Sequence, residues 1–271
     1  MTTSMPDFAT IKQRQQAVWS AGDYAAIESR SVVVSENLCE AVDLRADQEV
    51  LDVACGSGNT SLAAARRNTM VTGIDYVPAL LEYGRKRAAV ERLDIRFQHG
   101  EAEALEFPEG SFDAVLSTFG AMFAPDQAKT ASELLRVCRP GGKIGMANWA
   151  PDGFVGQGFR LVSSRMPPNP GLQPPSRWGT ETGLREFFGD GVSKLSITRR
   201  DFVFRYRSAG HWLDYYRDNF GPVHTLFARL DEDAAKEFAG ELITLCTSFN
   251  TADDGTLVIP SAYLEVVAVR R

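Results

Sequence analysis

The sequence predicts an α/β fold, a mostly parallel sheet with helices on both faces, and three observations carry that expectation. Residues 49–54, 70–75, 94–98, 112–117 and 143–148 are short apolar runs of buried-strand character. Helical patterns separate most of them, at 60–67, 78–93 and 127–138. The first run ends in Cys55-Gly56-Ser57-Gly58 and the second in Asp75, a tight turn and an acid at successive strand ends. Strands that alternate with helices at this spacing pair in parallel, through right-handed crossovers.

The elements follow in order. Residues 8–27 read as one or two helices broken at Ala21-Gly22-Asp23, with Val18 and Trp19 as apolar anchors, and 31–42 as another. Pro78 opens the 78–93 helix at a first-turn position, where its missing N–H costs nothing. The second half is less regular. Residues 167–175 carry five prolines and read as a loop. Residues 192–207 alternate, with Phe202, Phe204 and Tyr206 on one face, as a β-ribbon does. Residues 208–220 and 223–246 read as helices divided by Gly221-Pro222. Asp254-Gly255 is a turn, and 263–269 the last strand.

Composition excludes several classes. The chain has 271 residues, 44% of them hydrophobic and 24% charged, which is globular and within reach of one domain. It holds no run of some 18 apolar residues, so no membrane span is expected. Lys12, Gln13, Arg14, Gln15 and Gln16 interrupt any signal-like core, which makes a cytoplasmic location the default. Cys39, Cys55, Cys138 and Cys246 form no C-x-x-C pair, so neither a disulfide framework nor a zinc site is expected. A net charge of −6 disfavours nucleic acid as a partner. The densest basic run, Arg85-Lys86-Arg87, is diluted by Glu82 and Glu91 as on a solvated helix face.

In an open parallel sheet, ligands bind beyond the carboxyl ends of the strands. Gly56 and Gly58 let the backbone turn sharply there and approach a ligand. Asp75, 17 positions after Gly58, can accept hydrogen bonds from both hydroxyls of a ribose. The third strand runs into Gly100-Glu101-Ala102-Glu103, an acidic turn able to meet an adenine amino group. A G-x-G by itself is an ordinary turn; three strand ends of the right polarity in the right order are not.

As a set, Val50 to Asn59, Gly73-Ile74-Asp75, Gly100 to Phe107, Ser111 to Val115 and Leu135 to Gly142 resemble the class I S-adenosylmethionine-dependent methyltransferases. The likeness is to the branch of the ubiquinone and menaquinone biosynthesis enzymes (methyltransferase type 11/25-like), over roughly residues 46–150. It implies a Rossmann-like, seven-stranded sheet whose last strand is antiparallel and inserted beside the fifth. It implies S-adenosylmethionine as cofactor and S-adenosylhomocysteine as product. Gly56, Ser57 and Gly58 would lie under the methionine moiety, with Asp52 organising that loop and Asp75 holding the ribose. Tyr76 would pack on the adenine, or be a surface aromatic. Glu101, Ala102 and Glu103 would surround the adenine edge, and Ser117 would contact the cofactor through its backbone. Ala54 stands where many relatives have glycine, a tolerable change if its φ is below zero. Residues 151–271 resemble the family only loosely, through Asn219 to Pro222 and the last strand.

The resemblance divides one domain, 1–271, into an N-terminal helical lid (1–45), a cofactor-binding core (46–150) and substrate-side helices with terminal strands (151–271). Residues 1–28, hinged at Gly22, are expected to close over the cofactor and wall the acceptor site. Trp19, Tyr24, Phe119, Met122, Phe123, Trp212, Tyr215 and Tyr216 are the expected acceptor-side residues, which suggests a small apolar or aromatic acceptor. Methyl transfer needs alignment and exclusion of water more than dedicated groups. No catalytic residue is evident, and His211 and His224 are weak candidates for a base; His99 suits a structural role. No metal is expected, and the oligomeric state is open. Two alternatives remain. An NAD-type oxidoreductase shares the strand-glycine-acid arrangement but needs a third glycine where Ser61 stands. A non-catalytic cofactor-binding protein would keep the fold without turnover.

Overall fold

The computed structural model describes residues 7–166 and 171–271. Two short helices come first, α1 (Phe8–Trp19) and α2 (Tyr24–Glu28). Each begins at an aspartate, Asp7 or Asp23, whose carboxylate accepts an N–H of the first turn. Gly22, at φ +74°, makes the bend between them. Helix α3 (Val32–Val42) then packs Leu38, Cys39 and Val42 onto the sheet.

The core alternates as expected: β1 (Glu49–Val53), α4 (Asn59–Ala65), β2 (Met70–Asp75), α5 (Pro78–Glu91), β3 (Ile95–His99), β4 (Phe112–Thr118), α6 (Gln127–Val137) and β5 (Cys138–Trp149). Strands β1 and β4 are buried almost throughout because helices cover both faces of the sheet, the usual condition of parallel strands. Helices α7 (Phe154–Ser164) and α8 (Glu181–Phe188) lead to β6 (Val192–Tyr206). Then come α9 (Ala209–Asn219), α10 (Gly221–Phe227), α11 (Glu232–Phe249) and β7 (Leu257–Arg270).

The seven strands lie in the order β3-β2-β1-β4-β5-β7-β6. The first five are parallel, and β7 runs antiparallel between β5 and β6. The seven-stranded, mostly parallel sheet implied by the sequence is the one found. The change of connectivity around β1 and β4 opens a crevice at the carboxyl edge, which is where such sheets bind ligands.

Four departures have physical reasons. The expected 223–246 helix is two helices, because Asp231 caps a new start by accepting the Ala234 N–H at 2.8 Å. Helices α7 and α8 were not foreseen among the prolines and glycines around them; of the expected 167–175 loop, 167–170 lie outside the described residues, and Pro175–Gly179 is a 3-10 turn that buries Trp178. Strand β5 begins five residues early, with Arg139 to Gly142 bulging between the Phe112–Cys138 and Ala114–Lys143 pairs. Strand β7 extends back through Pro260, which faces Val203 of β6 only; its pairing with β5 starts at Tyr263, so the missing N–H breaks no ladder there.

Candidate active site

After β1 the chain turns through Ala54 (φ +54°), Gly56 (φ +57°) and Gly58 (φ +91°) into α4. The condition under which alanine is readily tolerated at position 54, a negative φ, is therefore not met. Its left-handed backbone costs a non-glycine residue about 1–2 kcal/mol. Its methyl is accepted because the residue facing it is Gly120: a Cβ there would come within 2.7 Å of the Ala54 Cβ and 2.3 Å of its carbonyl oxygen.

Three acids flank this loop, two of them buried and the third half-buried. Asp75, at the end of β2, accepts the Gly56 N–H at 2.9 Å and the Val77 N–H at 2.8 Å, which leaves lone pairs for a ligand hydroxyl. Burial raises its proton affinity against the pull of those N–H groups. Asp52 is 1% exposed and accepts the Ser61 hydroxyl at 2.7 Å through Oδ2, while Oδ1 has no partner. Burial, together with the charge of Glu28, pushes its carboxyl up to about 8. Asp52 thus ties down α4 rather than bonding the glycine loop itself.

The third acid, Glu28 at the end of α2, was missed by sequence reasoning. Its Oε2 accepts the Ser57 N–H at 2.7 Å and its Oε1 the Asn59 N–H at 3.1 Å. Its backbone carbonyl accepts the Asn59 side chain at 2.7 Å. A Cβ on Gly56 would lie 2.5 Å from Glu28 Oε2, so that glycine is needed for the carboxylate as well as for the turn. Burial raises the Glu28 carboxyl above the ordinary value, with the loop N–H groups opposing. No local pattern announces such a residue, because its partners are about thirty positions away.

A second missed set lies on α1. Lys12 bridges Glu101 at 2.5 Å and Glu103 at 3.2 Å; Gln15 donates to the Phe123 carbonyl and Gln16 to the Tyr76 carbonyl. With Trp19 they follow the i, i+3, i+4, i+7 spacing of one helix face. The helix thereby lies across the acidic turn after β3. Read from sequence, these polar residues only interrupted an apolar run.

One cleft gathers most of the expected cofactor residues: Asp52, Ala54, Gly56, Asp75, Tyr76, Glu101, Ala102 and Glu103 line it. Ser57 and Gly58 lie behind, shaping the loop. Ser117 does not line it; its hydroxyl donates to the Val53 carbonyl and accepts the Ala121 N–H, which stitches β4 to β1. The neighbouring Thr118 faces the cleft instead. Among the described residues lining it, Lys12 is the one cation, against Glu28, Asp52, Asp75, Glu101 and Glu103.

The cleft adjoins an aromatic chamber, and Trp19, Tyr24, Glu28, Ser31, Phe119 and Phe123 line both. Beyond them the chamber is walled by Trp149, Phe154, Phe204, Trp212, Tyr216 and Phe220 among others. Phe119 stacks on Trp149 at 3.8 Å, and Trp19 meets Tyr24, Phe123 and Phe220 edge-on. Besides Glu28 and Ser31, the wall holds Arg30, whose guanidinium lies 4.1 Å from the Tyr215 ring centre, and Trp212, whose indole N–H is buried without a partner. Of the expected acceptor residues, Trp19, Tyr24, Phe119, Phe123, Trp212 and Tyr216 come together. Met122 is fully buried core, and Tyr215 turns away to donate to the Ala26 carbonyl. His211 and His224 line neither cavity: His211 Nδ1 accepts the Arg207 N–H, and His224 Nδ1 lies 3.1 Å from the Arg217 carbonyl. His99 is exposed at the end of β3.

The sheet order and a glycine turn with acids at successive strand ends define a class I methyltransferase architecture, and the comparisons agree. Residues 50–142 match the family described as a methyltransferase domain. The chain belongs to the class I S-adenosylmethionine-dependent methyltransferases. It is 36% identical over 270 residues to an uncharacterized protein of Mycobacterium tuberculosis (strain ATCC 25618 / H37Rv), covering 97% of this chain and 96% of that one. It is 35% identical over 143 residues to the demethylmenaquinone methyltransferase of Deinococcus radiodurans, covering 51% of this chain and 59% of the relative. Among solved structures, the YcgJ protein of Bacillus subtilis superposes with a TM-score of 0.61 at 19% identity, over 88% of this chain and 98% of that one. A putative methyltransferase of Bacillus halodurans C-125 gives 0.59 at 19% identity, over 87% and 97%. At that identity the likeness establishes the fold. No helix among the described residues is long and apolar enough to cross a membrane.

Proposed function

We propose that the protein transfers a methyl group from S-adenosylmethionine to a small apolar or aromatic molecule. The observation that carries this reading is the pairing of an acid-lined cleft with an aromatic chamber through a shared set of six residues. The acids fit a nucleoside that bears a cation. Glu101 and Glu103 suit an adenine amino group, Asp75 a ribose, and the partnerless Oδ1 of Asp52 a positive group at the methionine end. A dinucleotide fits badly, because its pyrophosphate would face buried carboxylates with no cation beyond Lys12, which two glutamates already engage. When bound, the cofactor supplies an activated methyl on sulfur and a thioether leaving group.

The chain's own residues supply the rest. Asp75 orients the nucleoside, and the glycine turn admits it. Trp19, Tyr24, Phe119 and Phe123 stand where the two cavities meet and exclude water from the transfer. Aromatic faces there also favour a sulfonium through cation–π attraction. The chamber aligns a flat acceptor by stacking. We further infer that α1 and α2 act as a lid latched by Lys12, Gln15 and Gln16.

The test is ligand-dependent thermal stability followed by turnover. S-adenosylhomocysteine is expected to raise the melting temperature and NAD to leave it unchanged. Incubation with S-adenosylmethionine and a panel of aromatic acceptors is expected to yield S-adenosylhomocysteine, undiminished by chelators. Stabilisation by NAD alone would end the proposal.

A further inference from the structure

We propose that Glu28, a residue of the N-terminal helices rather than of the sheet, is part of the cofactor site and accepts the α-ammonium of the methionine moiety, opposite the partnerless Oδ1 of Asp52. The inference rests on the methyltransferase reading and deepens it. Four observations support it.

First, Glu28 reaches into the cleft and sits on the glycine loop itself, held by the Ser57 and Asn59 N–H groups. Each carboxylate oxygen has one such bond, so each keeps a lone pair for another donor. Second, Asp52 lines the same cleft with one oxygen that nothing in the protein satisfies. A buried carboxylate oxygen without a donor is costly, and a ligand donor removes that cost. Third, the charges there do not balance. Glu28 is near enough to Asp52 to oppose its ionisation, and the Arg87 guanidinium is engaged with Ser57 and Asn59. A small cation with several N–H donors fits what is missing. Fourth, the residue is placed by the bend at Gly22 and the Asp23 cap, so closing the helices over the cleft and completing the ammonium site are the same event.

The experiment measures affinity, not turnover. Calorimetry compares S-adenosylhomocysteine with its analogue lacking the α-amino group, in the wild type and in Glu28→Gln and Glu28→Asp. The wild type is expected to bind the analogue about 10- to 100-fold more weakly, the range for one or two hydrogen bonds to a charged group. Glu28→Gln should bind S-adenosylhomocysteine more weakly and discriminate less than threefold between the two ligands. Glu28→Asp, which keeps the charge and is the less disruptive change, should fall between. A purely structural role for Glu28 would weaken both ligands equally, and full discrimination retained in Glu28→Gln overturns the inference. So does equal affinity of the wild type for the two ligands. Tighter binding by Glu28→Gln overturns it too, because the carboxylate would then be competing with that of the cofactor. A wild type that binds neither ligand sinks the methyltransferase reading itself, which separates that failure from this one.

Discussion

The two cavities that meet at Phe119 and Tyr24 are built by different physics. The cleft is shaped by main chain: turns with positive φ, N–H groups and carboxylates at the ends of β1, β2 and β3, tied by hydrogen bonds of 2.7–2.9 Å. The chamber is shaped by side-chain faces from α1, α2, α7, α9, α10 and β6, with aromatic contacts and few polar ties. A hydrogen-bonded frame admits one arrangement of donors, whereas an apolar wall tolerates rearrangement of equal volume. The cleft is therefore specific for its ligand's polar groups. On the proposed reading the chamber selects by shape, and only the part of its lining beyond the six shared residues can change without altering the cleft.

The largest expected effect comes from removing what joins the two cavities. Deletion of residues 1–28 takes away Trp19, Tyr24, Glu28 and the Lys12 latch. Binding of S-adenosylhomocysteine should weaken but persist, because Asp75 and the loop remain. Transfer should slow by about 100-fold or more, the scale of a misaligned, hydrated reacting centre. Near-normal turnover, measured as S-adenosylhomocysteine release, would mean the two cavities work independently of the helices above them.

Next in size is Asp75→Ala, which attacks the cleft alone. Loss of hydrogen bonds to a charged acceptor should cost about 1.5–3 kcal/mol of cofactor affinity by calorimetry. The acceptor chamber does not include Asp75, so the affinity of an acceptor for the cofactor-saturated protein should not change. A shift in both would show that the cavities are more tightly coupled than their construction implies.

The same contrast decides what was legible in the sequence. The cleft announces itself because Gly56, Gly58, Asp75 and Glu101 sit at strand ends, where local pattern and position coincide. The seven strands, with the last antiparallel beside the fifth, came from the family resemblance that these segments carry. Whether Ala54 is tolerated could not be read locally, because Gly120, a residue 66 positions away, leaves the room for its methyl. Glu28 and Lys12 left no signal, since a helix-borne polar residue gains meaning only from a distant partner. The chamber was half legible: aromatic type marked Trp19, Phe123 and Trp212, but helix phase, which sequence alone did not fix, turned Met122 into core and Tyr215 outward. Helices α7 and α8 were obscured by glycines, of which Gly156 and Gly183 here permit close packing rather than end the elements.

A smaller effect tests the charge of the cleft. Asp52 has a folded-state value near 8, above the ordinary aspartate value of 3.8. A carboxyl raised in this way gives its stabilisation in full below the unfolded value and loses it as pH climbs through the folded one. The unliganded protein should therefore lose stability from about pH 4 to about pH 8, and Asp52→Asn should flatten that slope. Glu28 and Asp75 are displaced in the same direction, so some slope should survive in the variant. An ammonium ligand favours the ionised carboxylate, so the affinity for S-adenosylmethionine and for S-adenosylhomocysteine should rise across the same window. Melting curves that rise with pH through this range would contradict the assignment.

The smallest expected effect belongs to the histidines. His211 lies in the first turn of α9, its N–H donating to the Ser208 hydroxyl and its ring nitrogen accepting the Arg207 N–H, and His224 lies in α10 against the Arg217 carbonyl. A general base must come within about 3 Å of the proton it removes, or reach it through one water. Neither ring lines the cleft or the chamber, so neither meets that condition for an acceptor stacked among Phe119, Trp149 and Trp212. His211→Ala and His224→Ala should each leave kcat within about twofold and the pH profile unchanged, against the 10²- to 10⁴-fold loss that removal of a true base produces. A fall of that size in either variant, with cofactor affinity intact, would place the acceptor outside the aromatic chamber. It would also break the division of labour between the two cavities at its apolar end.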